Sequence, residues 1–135
     1  MTGASELKMI SYHVLLMKFE LNEDFEFKKG KIDIRPTFKR DIQKIDESHF
    51  QVILGIEVSS EINNNPIPFN AEISISSVFE LLDWESEISK TINTNNATAI
   101  MFPYLRTLLS TLTLNGNVPP YILPIMNINA LFKNK

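Results

Sequence analysis

The chain has 135 residues, 44% of them apolar and 21% charged, with no cysteine and a formal net charge of −3. That is enough for a single domain, 1–135, with its own core, and it excludes disulfide frameworks, thiolate metal sites, redox dithiols and cysteine nucleophiles. The mildly acidic balance argues against nucleic acid. With no basic-then-apolar amino terminus and no apolar run of about 18 residues, the chain is expected to be cytoplasmic without membrane insertion.

Residues 9–21 (MISYHVLLMKFEL) predict a first strand. Its middle is apolar at consecutive positions rather than alternating, so both faces should be partly covered. Lys29-Gly30-Lys31 marks a turn before a short extended piece from Lys31 to Phe38, which Pro36 interrupts, as suits an edge strand or a crossing loop. Phe50 to Ser60 gives the cleanest period-two signal: Phe50, Val52, Leu54, Ile56 and Val58 share one face. Asn63-Asn64-Asn65-Pro66 is a turn by composition, and Phe69, Ala71, Ile73 and Ile75 repeat the alternation. Four strands joined by turns, with no helix between them, imply an antiparallel meander.

Residues 91–98 (TINTNNAT) read as a polar connector. A helix is expected from about Ala99 to Leu114, with Pro103 tolerated in its first turn and Gly116 ending it in the left-handed conformation. Met101, Leu105, Leu108 and Leu112 make one apolar stripe for the sheet. The opposite face carries Thr107, Ser110, Thr111, Thr113 and Leu114, with Arg106 its sole charge. A second copy covering that face is one reading, and a surface that is merely threonine-rich is the other. All 16 Asp and Glu lie within residues 1–96, so the rear third is nearly uncharged. Val118 to Phe132 (VPPYILPIMNINALF) has no charge, and its prolines prevent one long helix. It should form an extended apolar strip with a short helix from about Asn127, lining a groove or interface, or else sealing the open edge of the core. The fold class is therefore α+β: a four-stranded antiparallel sheet packed by one long helix and a short C-terminal helix.

No catalytic constellation is visible, which predicts a protein that is not an enzyme and holds no metal or cofactor. His13 and His49 lack the spacing and carboxylate neighbours of a metal site, and there is no Gly-rich phosphate loop. Asp83, Glu85 and Glu87 around Trp84 read more simply as a solvated turn or short helix than as paired acid–base carboxylates.

Three blocks near the carboxyl end carry a family resemblance. Met101-Phe102-Pro103-Tyr104-Leu105-Arg106, then Gly116-Asn117-Val118-Pro119, then Leu123-Pro124-Ile125-Met126-Asn127-Ile128-Asn129-Ala130-Leu131-Phe132 resemble the signature of SecB-type export chaperones, approximately LFPYAR, GxFP and LxPVNFDALF at similar spacing. The resemblance implies a homotetramer, a dimer of dimers whose long helices meet. It also implies an ATP-independent holdase that keeps unfolded preproteins and other non-native chains competent for export and passes them to the SecA motor. The client groove it implies takes in Tyr121, Ile122, Leu123, Ile128, Leu131 and Phe132, with Ile34 and Phe38 from the crossing loop; the interface face above (Arg106, Thr107, Ser110, Thr111, Leu114) would lie between dimers. Glu20 and Glu72 match two acidic positions that face SecA in the family, but Leu16 stands where another carboxylate is expected and Asn70 replaces an apolar contact. No cysteine is present for the family's zinc-binding tail, so the implied SecA binding is weak or absent. Val118 and Ile128 stand at family phenylalanines, which makes the groove less aromatic. Two alternatives remain open at this point: a dedicated SecB-like chaperone of one partner, such as the antitoxin of a toxin–antitoxin module, and an interaction subunit without chaperone activity.

Overall fold

Alternation builds the centre of the sheet. In β3 (His49–Val58) the residues Phe50, Val52, Leu54, Ile56 and Val58 are buried, and in β4 (Phe69–Glu80) Phe69, Ala71, Ile73, Ile75 and Phe79 are buried on the same side. The structure is a computed structural model that describes residues 7–25, 33–60, 66–81, 87–118, 121–124 and 126–132, with only the backbone for 87–89. β3 and β4 pair antiparallel from His49↔Glu80 to Val58↔Ala71, which sets inward residues directly opposite one another; the Phe50 and Phe79 rings stack at 5.6 Å. β1 (Lys8–Leu21) and β2 (Thr37–Asp46) flank that pair, so the four-stranded antiparallel order is β1-β4-β3-β2. β2, β3 and β4 form the expected meander, while β1 lies beyond β4, and the segment between β1 and β2 crosses from one edge of the sheet to the other.

The second strand is displaced from its expected place. Residues 33–36 are not strand; Pro36 immediately precedes β2, which continues through the charged stretch Thr37–Asp46. Period two is present there but hidden, because its inward set is Phe38, Arg40 and Ile42 and its outward set is Lys39, Asp41 and Gln43. A charged, solvated outer face is what an edge strand carries, and edge position is the part of the expectation that holds. The Lys29-Gly30-Lys31 and Asn63-Asn64-Asn65 turns lie outside the described residues, as do Asp83, Trp84 and Glu85 and the side chain of Glu87.

β1 explains its own irregular pattern. Its register with β4 slips between Met9 and Ser11 and again between Val14 and Leu16, so Ile10 and Leu15 are bulged residues and each bulge inverts the alternation. The helix-facing set becomes Met9, Tyr12, Val14, Met17, Phe19 and Leu21. Consecutive apolar residues thus arise from two phase changes rather than from a strand covered on both faces: Ile10, Val14, Leu15, Leu16, Met17 and Leu21 are all exposed in the single chain.

The helix is nearly twice as long as its apolar pattern predicts. α1 runs Glu87–Asn115, absorbing the polar stretch 91–98, and Pro103 therefore lies in its interior rather than in its first turn. The small residues Thr94, Ala97 and Thr98 of that stretch are buried, which lets the helix approach the sheet closely. Their hydroxyls are satisfied locally: Thr98 Oγ1 donates to Thr94 O at 2.7 Å and Thr94 Oγ1 to Thr91 O at 3.1 Å. Helix propensity costs up to about 0.7 kcal/mol per residue here, which docking against the sheet overrides. The buried stripe continues through Met101, Phe102, Leu105, Leu109 and Thr113; Leu108 and Leu112, expected in the stripe, are only half-buried at its margin.

The helix ends one residue later than glycine placement suggests. Asn117, not Gly116, adopts the left-handed conformation, with φ of 59°. Its N–H donates to Leu114 O at 3.2 Å and that of Val118 to Thr113 O at 3.2 Å, a Schellman arrangement closed by the buried Val118 side chain. Gly116 serves a different need: a Cβ built there would stand 2.2 Å from the ring of Phe19 on β1. Beyond the cap, residues 121–124 have no regular secondary structure, and α2 (Ile128–Leu131) begins at Asn127, whose Oδ1 accepts from Ala130 N at 3.3 Å.

Candidate functional site

The face of α1 that carries few charges has two different uses. At Arg106, Ser110 and Thr113, one helical row, the side chains hold the backbone of the C-terminal strip: Arg106 Nε donates to Leu123 O at 2.9 Å, Ser110 Oγ to Tyr121 O at 3.1 Å, and Thr113 Oγ1 accepts from Tyr121 N at 2.9 Å. The strip therefore lies antiparallel along the helix. Thr113 is fully buried and Arg106 and Ser110 are half-buried against their own chain, so these residues face inward to the strip. Thr107, Thr111 and Leu114 remain exposed, Leu114 at 63%.

The expected groove residues divide by depth. Phe38, Leu123 and Phe132 are buried in the core cluster; Ile34, Tyr121, Ile128 and Leu131 are half-buried against it; Ile122 is 71% exposed. The strip thus seals the core with one row of side chains and offers another to solvent. Burial raises the Tyr121 hydroxyl above its ordinary pKa, and the negative charge of Asp33 adds to the shift.

A second apolar surface joins the exposed part of the expected helix face to β1, which the sequence reading did not include. The Tyr12 ring of β1 lies 4.7 Å from that of Tyr104 on α1, and from this contact exposed apolar side chains extend along both elements: Val14, Met17 and Leu21 on the strand, Ile100 and Leu114 on the helix. Between them is a depression of about 350 Å³ lined by Tyr12, Pro103, Tyr104, Thr107 and Leu108. Ile100, Tyr104, Thr107, Thr111 and Leu114 recur every three or four residues, a pattern hidden by the threonines.

On the outer face of the sheet, Glu20 and Glu72 share a concavity with Glu57 and Lys18. Asn70 organises it: Nδ2 donates to Glu20 Oε1 at 3.1 Å, and Oδ1 accepts from Ser60 N at 3.1 Å and Asn22 Nδ2 at 3.2 Å. Leu16 is exposed beside this acid cluster. Glu57 was missed in the sequence because β3 reads as a core strand; it enters the cluster by pairing opposite Glu72. His49, expected to lack carboxylate neighbours, has two: Nδ1 faces Asp46 Oδ1 at 2.8 Å and Nε2 faces Glu80 Oε2 at 3.3 Å; among the described residues no group of three or more His, Cys, Asp or Glu that could hold a metal ion is found. Among those residues no helix is long and apolar enough to cross a membrane.

The family model described as preprotein translocase subunit SecB matches residues 6–135. The chain belongs to the SecB family. It is 25% identical over 104 residues to a protein-export protein SecB of Saccharophagus degradans, covering 77% of this chain but only 62% of that relative's length. An uncharacterised protein of Methanocaldococcus jannaschii is 31% identical over 130 residues, covering 95% of this chain and 83% of that one. In fold, the chain is similar to a SecB-like chaperone of Mycobacterium tuberculosis solved in complex with a ChAD peptide from the HigA1 antitoxin: TM-score 0.66, 17% identity, 90% of this chain and 88% of that one. The SecB blocks now have physical roles here. The first is the part of α1 that packs on the sheet, the second is the Schellman cap, and the third is the strip with α2.

Proposed function

We propose that this SecB-family chain is a cytoplasmic, ATP-independent holdase that binds non-native polypeptides and self-associates, as a homotetramer, through β1 and the exposed row of α1. The observation that carries the reading is the surplus of apolar surface in one chain: β1 alone exposes Ile10, Val14, Leu15, Leu16, Met17 and Leu21, and the strip exposes Ile122. Contiguous apolar surface of this kind on a small domain calls for a partner. The two surfaces differ in character. β1 is a 14-residue edge strand with unpaired backbone groups and the uncharged helix row lies beside it; each is suited to its own two-fold partner, and two such contacts are what a dimer of dimers requires. The strip, α2 and crossing loop form a shallow apolar border near the opposite edge, β2, and a client needs only apolar side chains and free backbone groups to occupy it. Tyr121, Ile122, Ile128, Leu131 and Ile34 are its client-facing residues, resting on Phe38, Leu123 and Phe132. No group in this arrangement performs catalysis.

Handover to SecA is weak or absent in this reading, because Leu16 interrupts the acidic surface formed by Glu20, Glu57 and Glu72. A second role, service to one dedicated partner such as an antitoxin, is supported by the fold neighbour bound to an antitoxin peptide. The test is aggregation of a chemically denatured model substrate diluted into buffer without nucleotide. Stoichiometric protein should delay light scattering, and Ile122→Ser with Tyr121→Ser should weaken the delay while leaving the oligomer's mass unchanged. If scattering is unaffected by the protein, the holdase reading fails. A single saturable partner that denatured clients do not displace would favour the dedicated role.

A further inference from the structure

At the β2 edge of the sheet a groove of about 470 Å³ opens between β2, the first half of α1 and α2. Its walls include Ile42, Ile92 and Phe132, with Thr91, Asn95 and Asn129 on the helices, and among its described lining residues Arg40 is the one charged side chain. Arg40 points inward from the strand, opposite Leu54. Its Nη1 donates to Asn95 Oδ1 at 2.7 Å and to Thr98 Oγ1 at 3.2 Å, and its guanidinium carbon lies 4.4 Å from the Phe132 ring centre. Every one of these partners is neutral. Asn95 is itself fixed, donating to Asn129 Oδ1 at 2.6 Å.

A half-buried guanidinium with no carboxylate is unusual in a chain with 16 acidic residues, because partial desolvation is normally offset by a counter-charge. Among the described residues the ion pairs of the chain are elsewhere, at Arg35–Asp33, His49–Asp46 and His49–Glu80. Stacking on Phe132 and two bonds through one nitrogen hold the planar fork in place and leave donors over. The free edge of β2 runs beside it, with backbone groups on that side unpaired in the sheet.

We propose that Arg40 is an anion subsite which selects an aspartate or glutamate side chain in an extended polypeptide laid along the free edge of β2. The inference rests on the client-binding reading above and deepens it by naming a sequence preference. In a strand added to β2, inward side chains recur every second residue, about 7 Å apart. An acid over Arg40 therefore places a neighbouring inward residue over Ile42 and Ile92, and the recognised pattern is an acid and an apolar residue two positions apart, in the order set by the direction of the added strand. Charge complementarity decides the class of occupant: an apolar segment alone leaves the guanidinium without a partner, while a basic one is repelled.

The experiment uses the full chain and labelled nine-residue peptides, blocked at both ends, alternating threonine and valine with a central glutamate or glutamine. Fluorescence anisotropy should show the glutamate peptide binding about fivefold or more tightly than the glutamine peptide, with the preference shrinking in high salt. In Arg40→Gln the preference should fall to within about twofold, with the glutamine peptide's affinity little changed. Should Arg40→Gln fail to fold, Arg40→Lys serves: it keeps the charge but not the fork, and a reduced preference is expected. Equal binding of both peptides to the unaltered protein overturns the proposal and makes Arg40 a purely structural staple. If neither peptide binds yet the protein still delays aggregation, the subsite falls and the holdase reading stands; if it does neither, both fall.

Discussion

Thr113 shows how one side chain can join helix, cap and strip. Its buried hydroxyl shares its one hydrogen between the helix carbonyls of Leu109 and Ser110 and accepts the N–H of Tyr121. Thr113→Val keeps the shape but strands that N–H, and should cost about 1–3 kcal/mol in chemical denaturation. It should also raise hydrogen exchange at Tyr121. At the cap, Asn117→Gly should hold or raise stability, whereas Asn117→Ala should lower it by about 1–2 kcal/mol, the cost of a left-handed residue with a Cβ. Thermal unfolding of the pair checks this. His49 gives the pH dependence. Its hydrogen bond to Asp46, aided by the negative charges of Asp46 and Glu80, raises its pKa above the ordinary 6.5. The bond's contribution to stability is therefore complete below about 6.5 and is lost as pH rises through the raised folded value. The gap in thermal midpoint between the unaltered chain and His49→Gln should be larger at pH 6 than at pH 9; a constant gap would show that protonation is not involved. None of these roles was readable beforehand. A threonine in a helix, an asparagine after a glycine and a histidine at a strand start acquire meaning only from neighbours distant in sequence.

At the level of elements, legibility followed how much of each pattern burial alone dictated. β3 and β4 are covered on one face along their whole length, so their alternation is unbroken and their inward residues were named correctly in advance. β2 and β1 are edges. In β2, charge on the solvated face masked the period; in β1, bulges at Ile10 and Leu15 reversed it twice. The first half of α1 was obscure because small polar residues, weak helix formers, are what close packing on the sheet requires there. The surface read from the helix was legible in part. Its lack of charge was real, but Arg106, Ser110 and Thr113 use it for the strip, leaving Thr107, Thr111 and Leu114 exposed with Ile100 and Tyr104 as the row proposed to meet another copy. Leu15 and Met17 test that second use. Both are exposed in the single chain, so Leu15→Lys with Met17→Lys should leave far-UV circular dichroism intact. Buried in a partner, two lysines should weaken self-association by about tenfold or more. Unchanged mass in light scattering at micromolar concentration would remove β1 from the interface.

Across the whole molecule the design is a sheet closed on one side by α1 and the strip, with apolar material left over at both edges. β1 and the helix row lie at one edge; Ile122, the half-buried strip residues and the Arg40 groove lie towards the other. Under the proposed function this separation would let assembly and client capture proceed together, since covering one edge leaves the other open. The C-terminal blocks were the most informative part of the sequence because each is a structural joint: helix, cap and strip must keep their spacing for the core to close. The central claim is that this surplus surface is shared between copies and guests. Sedimentation velocity of the full chain, alone and with a permanently unfolded client, measures both uses at once. The account predicts a particle well above the 15.5 kDa of one chain, and a faster boundary carrying the client with it. A 15.5 kDa monomer that leaves the client sedimenting by itself would contradict it.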